Sequence, residues 1–178
     1  LRRFHGLVNE LVQGAWTRWV RQQNLSVIGD TADLHEFLFG AERSNLGLVR
    51  APLQDLQRGA CFYCHREMRG QPEVDHFVPW VLYPLDLGHN FVLAHRECNS
   101  AKRDLLASEE HLSAWAERNR AHGETLGREF DRLGMLHDLP STARIAHWAY
   151  SAVFTTGGLS WKEKQTLVPL TGEWGRLL

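Results

Sequence analysis

The sequence lacks long apolar runs, internal repeats and low-complexity segments. No stretch of 18 apolar residues occurs and no secretory signal pattern is seen, which excludes a transmembrane helix and a membrane partner. The sequence also lacks an excess of charge of either sign, because its 20 Lys and Arg residues are balanced by 21 Asp and Glu residues, which gives a net charge of −1. A surface coated in positive charge is therefore excluded, although a local basic patch for nucleic acid is not.

Cysteine is scarce, and its count is odd. Three cysteines in a secreted protein would leave one thiol unpaired, so we expect a reducing, cytoplasmic setting in which the thiols serve another purpose. The chain begins at Leu1 rather than Met. That start is compatible with a fragment of a longer chain that carries an upstream domain.

What remains is an ordinary globular composition, 43% hydrophobic and 23% charged. Apolar residues at helical spacing predict helices over about 4–19, 32–39 and 52–58, the last ended by Gly59. The character then changes. Residues 60–68 and 73–77, separated by turn residues, predict a β-hairpin that opens with a Cys-x-x-Cys knuckle.

Short elements follow, and then longer helices. Residues 90–94 predict an extended piece, and Asn99 begins a helix that runs to about Leu106. Ser108 caps a further helix that Gly123 and Gly127 interrupt and Gly134 closes. The residues expected on its apolar face are Leu112, Trp115, Leu126 and Phe130.

A last helix is predicted over 142–154, after Pro140 and Ser141. The residues expected on one face of it are Ile145, Trp148, Ala149 and Ala152. The fold class predicted is α+β and predominantly helical, with a small central metal-stapled module. The predicted regions are 1–58, 59–107 and 108–178, packed as one compact unit.

Four residues have the spacing of a closed metal site. Cys61 and Cys64 form one pair, and His95 and Cys98 form a second pair of the same shape. Zinc accepts mixed sulfur and imidazole donors, and a complete four-ligand shell is typical of a structural ion. The alternative is two small buried thiols and a surface histidine, and His89 competes with His95 as the fourth ligand. A redox motif is disfavoured because no βαβ pattern surrounds the cysteines.

Polar residues of another kind lie between and beside those ligands. Asp75 and His76 are adjacent, Asn90 follows His76 by 14 residues, and Asn99 adjoins Cys98. A lone Asp-His pair is usually a solvated turn, and in a strand the two side chains point to opposite faces. They can share a site only at a twist or a strand end. Their spacing to the two Asn residues is what indicates a site.

The segment from Cys61 to Asp104 resembles the HNH nuclease family, whose core is a ββα-metal fold. The resemblance rests on Cys-x-x-Cys, Asp-His-x-x-Pro, an Asn before a short apolar strand, and Cys-Asn-x-x-Lys. The Asp-His…Asn…Asn spacing is also similar to that of the HNH domain in RNA-guided DNA nucleases. There are two departures. Asn99 stands where the family name requires a second His, and His95 stands where many zinc-bearing members have Cys.

The resemblance implies a role for each polar residue. Asp75 and Asn99 would give oxygen ligands to one Mg²⁺ or Mn²⁺, the hard cations that such donors suit. His76 would be the general base that takes a proton from water. Asn90 would hold the imidazole or its loop, and Lys102 would reach a phosphate oxygen.

Further basic residues are candidates for phosphate contacts. Arg96 and Arg103 are two of them, but for both, as for Lys102, a solvated surface charge is the favoured interpretation. The first predicted helix is basic as well, and a solvated helix face is again favoured there. The residues concerned are Arg2, Arg3, Arg18 and Arg21.

The function implied is metal-dependent hydrolysis of DNA, most simply of double-stranded DNA. The rival readings are a non-catalytic zinc module that binds nucleic acid, as a degenerate HNH fold would, and a structural zinc protein in a larger assembly. The pathway stays open among restriction, phage defence, homing and cleavage in a guided complex. Neutral net charge suggests that DNA delivery depends on an upstream domain, a partner protein or oligomerisation.

Overall fold

A computed structural model describes residues 46–178, together with the single positions Val12 and Ala15. The helices predicted over 4–19 and 32–39, and the four arginines of the first, lie outside the described residues. The described elements comprise four α-helices and four strands. In chain order they are α1 (Arg50–Leu56), β1 (Glu73–His76), β2 (Phe91–Ala94), α2 (Arg96–Lys102), α3 (Glu109–Leu133), α4 (Leu139–Thr155), β3 (Leu159–Glu163) and β4 (Thr166–Pro169).

The central sheet consists of β1 and β2, paired antiparallel. Val74 lies opposite Leu93 and His76 lies opposite Phe91, so these side chains share one face. That face packs on the buried core formed with α1 and α3; its fully buried members are Val49, Leu53, Phe91, Leu93, Leu126, Phe130 and Met135. The other face carries Glu73 and Asp75 and is covered by α2. The two strands and α2 together make a ββα unit.

The predicted hairpin of 60–68 with 73–77 is wrong. β1 pairs with β2, and residues 60–68 make only an isolated bridge, between Ala60 and Glu67. The backbone of this segment turns back on itself, because Cys61 N–H donates to Arg66 O and Met68 N–H donates to Gly59 O. A knuckle that uses its hydrogen bonds internally has few left for a partner strand.

The short helices begin earlier than predicted. α1 starts at Arg50 rather than Pro52, and α2 starts at Arg96 rather than Asn99. The N-cap of α2 is His95, whose extended backbone ends β2 and leads directly into the helix. Asn99 therefore lies in the middle of α2 instead of at its start, and the helix ends at Lys102 instead of running to Leu106.

The long helix α3 is continuous. Gly134 ends it in the left-handed conformation (φ 63°), as predicted, but Gly123 and Gly127 do not interrupt it. The predicted apolar face of α3 is buried. Ser108 is the N-cap, yet its hydroxyl makes no capping bond. Packing of a long apolar stripe explains why two glycines inside the helix are tolerated.

The buried face of the last helix differs from the predicted one. α4 buries Ile145 and Ala149, but Trp148 is 41% exposed and Ala152 is also exposed. Its N-cap is Asp138, which accepts from the Ser141 backbone N–H. The buried stripe runs through the 142, 145, 146, 149 and 150 positions, so it drifts away from Trp148.

The tail forms an antiparallel hairpin of β3 and β4. Trp161 of β3 is almost fully buried, and its backbone pairs with the segment between α2 and α3, donating to Leu106 O and accepting from Ser108 N–H. The described residues 46–178 belong to one compact unit. None of the described helices is long and apolar enough to cross a membrane.

Candidate metal centre and catalytic cluster

The candidate site consists of two groups of side chains. The zinc cluster is the set Cys61, Cys64, His95 and Cys98. We call the set Asp75, His76, Asn90, Asn99 and Lys102 the catalytic cluster, because these are the catalytic candidates that the sequence predicted. The ligand atoms of the zinc cluster all lie within 4.8 Å of one another. Ligands around a tetrahedral zinc ion with Zn–S distances of about 2.3 Å are separated by spacings of that order. The donor set therefore fits structural zinc.

His95 is oriented for a metal by its second ring nitrogen. Its Nδ1 lies 3.3 Å from Cys64 Sγ, while its Nε2 lies 3.1 Å from the carbonyl oxygen of Glu67. With the proton on Nε2, the Nδ1 lone pair faces the sulfur atoms, which is how ligating histidines are usually held. The rival ligand His89 is buried elsewhere, against Phe130 and the carbonyl of Gly123.

The pKa values of two thiols of the zinc cluster, Cys64 and Cys98, are shifted in opposite directions. Burial by itself raises the pKa of Cys64, but hydrogen bonds from Arg66 and His95 outweigh burial and lower that pKa to about 6. Burial, together with the neighbouring Cys61 and Cys64, raises the pKa of Cys98 to about 12. A divalent cation would remove this conflict, because it stabilises every coordinated thiolate at once.

Asp75 is held in a buried network. Tyr63 donates its hydroxyl proton to Asp75 Oδ2 at 2.5 Å, and Lys102 Nζ lies 3.1 Å from the same oxygen. Burial and the neighbouring carboxylate raise the pKa of Tyr63 well above its ordinary value, so the phenol stays a donor. Trp161 of the C-terminal hairpin packs edge-on against Tyr63. Tyr63 and Lys102 therefore fix this carboxylate, and Trp161, which lies outside the motif, supports Tyr63.

Lys102 contacts both residues of the Asp-His pair. Its side chain is fully buried, and Nζ also donates to the carbonyl oxygen of His76 at 2.9 Å. The Asp75 and His76 side chains lie on opposite faces of the sheet, but His76 is the last residue of β1. Lys102 is not the solvated surface charge favoured from the sequence.

His76 is paired with a carboxylate that the motif did not indicate. Its Nε2 lies 2.7 Å from Asp86 Oδ1, and Asp86 is 5% exposed. The rings of Trp80 and Phe91 flank the imidazole, with centroid distances of 5.2 and 4.9 Å. Asp86 lies in a loop between the strands, and no local pattern relates it to His76, so only the fold reveals the pair.

Asn90 forms hydrogen bonds with the backbone of a loop, and Asn99 forms a hydrogen bond with another side chain. Asn90 accepts from Val78 N–H at 2.8 Å and donates to Val78 O at 2.9 Å, so it clamps the loop after β1 rather than the imidazole. Asn99 donates through Nδ2 to Glu73 Oε2 at 2.9 Å. Glu73 was not singled out from the sequence, although it shares a strand face with Asp75 by its period-two spacing.

Helix α3 grips the turn that carries Asn90. Arg118 donates to the carbonyl oxygens of His89 (2.7 Å) and Phe91 (2.6 Å), the residues on either side of Asn90. Burial lowers the pKa of Arg118 to about 9. Gly88 in the same turn lies so close to Phe130 of α3 that an added Cβ would come within 2.6 Å of the ring. The C-terminal region thus holds the turn that carries Asn90.

Fold and site together define a ββα-metal module with a zinc-type Cys and His cluster. Residues 61–105 match a family model described as HNH endonuclease, which confirms for this segment the resemblance seen in the sequence. A comparison with curated proteins finds no match. The match indicates a nuclease-type or nucleic-acid-related function.

Proposed function

We propose that this protein is a divalent-metal-dependent endonuclease that hydrolyses phosphodiester bonds of DNA, most simply double-stranded DNA. The pair of His76 and Asp86 carries the proposal. A buried carboxylate fixed on a histidine at a strand end is the arrangement of an oriented general base. A module that only binds nucleic acid needs no such pair.

In the proposed mechanism His76 takes a proton from the attacking water. Its Nε2–H donates to Asp86, which leaves Nδ1 as the ring atom with a lone pair. Trp80 and Phe91 restrict the rotation of the ring. Asn90 fixes the loop that follows His76 through both of its hydrogen bonds to Val78. The base is thereby oriented before substrate arrives.

Asp75 and Asn99 are the proposed ligands of Mg²⁺ or Mn²⁺. Their donor chemistry fits, because each keeps one oxygen, Oδ1, that forms no hydrogen bond with a described residue. When bound, the cation would neutralise charge that develops on the phosphate and on the leaving 3′ oxygen. Lys102 holds Asp75 through its contact with Oδ2.

The alternative is a non-catalytic zinc-containing module that binds nucleic acid, a degenerate HNH fold. The engagement of Asp75 Oδ2 by both Tyr63 and Lys102 favours this alternative, because one carboxylate oxygen is already in use.

As biological setting we propose an effector of a restriction, phage-defence or guided system that acts with an upstream domain, a partner protein or a guide complex. The support for that setting is the family resemblance.

The test is nicking of supercoiled plasmid with added Mg²⁺ or Mn²⁺, comparing the unaltered protein with His76→Ala. We expect His76→Ala to lower the rate by about 10²–10⁴-fold, the usual contribution of a general base. Zinc content should not change, since His76 is outside the zinc cluster, whereas the melting temperature should fall, because the buried Asp86 carboxylate loses its partner. His122→Ala, an exposed histidine on α3, is the matched control and should cut at the normal rate.

Two results would decide against the proposal. Cutting by His76→Ala at near the normal rate would remove His76 as the base. Absence of cutting by the unaltered protein with every divalent ion tested, alongside retained DNA binding, would favour the non-catalytic module.

A further inference from the structure

The turn that ends α2 places an arginine in a backbone conformation that suits glycine. Arg103 has φ 52° and ψ −132°. Leu105 N–H donates to Lys102 O at 3.1 Å, which closes a four-residue turn with Arg103 at its first central position. These angles are close to the roughly +60° and −120° of a type II′ turn, where glycine dominates. A side chain there strains the backbone.

The strained residue has an exposed side chain without a charged partner. Arg103 is exposed, and within the described part of the chain no ion pair involves it. The other phosphate candidate on α2, Arg96, is instead paired with Glu73 at 3.7 Å. No contact that the structure describes repays the strain at Arg103.

The position of the turn connects Arg103 to the catalytic cluster. Arg103 directly follows Lys102, whose Nζ contacts Asp75 Oδ2 and the His76 carbonyl. Backbone strain that persists without local compensation is concentrated at functional sites. A guanidinium group is also the side chain best suited to bind a phosphate through two parallel hydrogen bonds.

We propose that Arg103 contacts a backbone phosphate of duplex DNA next to the scissile bond, and that the strained turn is retained for this contact. The inference rests on the proposed function, because it names a contact of the same site with its substrate. Contacts to phosphate position the nucleic acid without reading its sequence. Arg103 is thus a substrate-contacting residue that sets affinity rather than specificity.

The experiment combines melting temperature with DNA affinity in the full chain. Affinity for a labelled duplex is measured without divalent cations, at several salt concentrations, so that cleavage plays no part. We expect R103G to raise the melting temperature by about 2–4 °C, since glycine relieves the strain. It should also weaken binding about fivefold and lower the salt slope of log K by about 0.9, the contribution of one phosphate contact.

Two further variants separate the effect of the lost charge from the effect of the backbone strain and from the effect of the position in the molecule. R103A should lose the same affinity without the gain in melting temperature, because its Cβ keeps the strain. R58G removes another exposed arginine at positive φ (52°), which follows α1 on the opposite face of the central sheet. Its affinity should stay within about twofold of the unaltered protein, since that site offers no phosphate contact.

Unchanged affinity in both R103G and R103A would overturn the inference, as would an equal loss in R58G or no DNA binding by the unaltered protein. The proposed function can fail separately. An unaltered protein that binds duplex DNA but never cuts would end the nuclease proposal, while the R103G and R103A affinities would still decide the phosphate contact.

Discussion

In the zinc cluster all four donors come from two short motifs, whereas in the catalytic cluster the side chains are held by partners from several other parts of the chain. The zinc ligands converge to within 4.8 Å. Asp75 depends on Tyr63, and His76 depends on Asp86. Both clusters nevertheless meet on α2, which carries Cys98 as well as Asn99 and Lys102.

The difference shows two ways of fixing polar groups in a small module. A metal ion with thiolate ligands supplies its own binding energy and pulls its ligands together. A catalytic group must instead be held in place while an atom that will react stays available. Buried partners such as Asp86 and Arg118 do this from neighbouring loops and helices.

The largest expected effect comes from breaking the zinc cluster with Cys64→Ser. We expect loss of zinc and a decrease in the free energy of unfolding on the order of 5 kcal/mol, because metal binding in such sites is coupled to folding. Metal analysis and thermal unfolding measure both. The catalytic cluster should be lost as well, since Cys98 anchors α2.

The control for this variant is His65→Asn. His65 follows Cys64, is exposed, and has a positive φ (57°) that Asn tolerates. It should keep both zinc and melting temperature. If Cys64→Ser kept its zinc and its melting temperature, Cys64 would not be a structural ligand, and the contrast between the two clusters would be lost.

A smaller effect is expected from Arg118→Met, which tests whether the turn that carries Asn90 depends on α3. The change leaves the carbonyl oxygens of His89 and Phe91 without the guanidinium donor, and we expect a loss of about 2–3 kcal/mol. Relief of a buried charge offsets part of the cost. Urea unfolding measures the change in the free energy of unfolding. Arg120→Met, exposed on the same helix, should cost less than about 0.5 kcal/mol. Equal stability of the two variants would show that α3 does not grip this turn.

The smallest effect in this series is expected from Asp86→Asn, which tests whether Asp86 orients His76 as the proposed general base. It preserves shape but removes the charge that faces His76, and we expect kcat for plasmid nicking to fall about 10- to 100-fold. The KM for DNA should not change, because Asp86 is buried behind the ring. Asp55→Asn, an exposed carboxylate on α1, is the control. A change confined to KM would assign Asp86 to the loop structure instead of the base.

The zinc cluster was predictable because its information is local. Two ligands at x-x spacing can face one ion almost regardless of the surrounding fold, so the Cys61–Cys64 and His95–Cys98 pairs could be read directly. Only the choice between His95 and His89 needed coordinates, since both histidines were in reach along the chain. The structure placed His89 in the core against Phe130.

Strand pairing was less predictable. Apolar alternation correctly indicated β1 and β2, but residues 60–68 were paired with β1 because they were nearest in sequence. The knuckle consumes its own hydrogen bonds, and periodicity does not report that. The rotation of α4, which exposes Trp148, has a similar origin, since four apolar positions do not define which stripe the neighbouring elements cover.

The amino-acid sequence by itself determined the three cysteine donors of the zinc cluster, the HNH resemblance and the candidate base, because each depends on residue types at short, regular spacings. Only the tertiary structure decided what holds those groups. Asp86, Tyr63, Glu73 and Arg118 reach the catalytic cluster through the packing of loops and helices. Contacts between residues distant in sequence depend on the whole chain folding, and no local pattern encodes them.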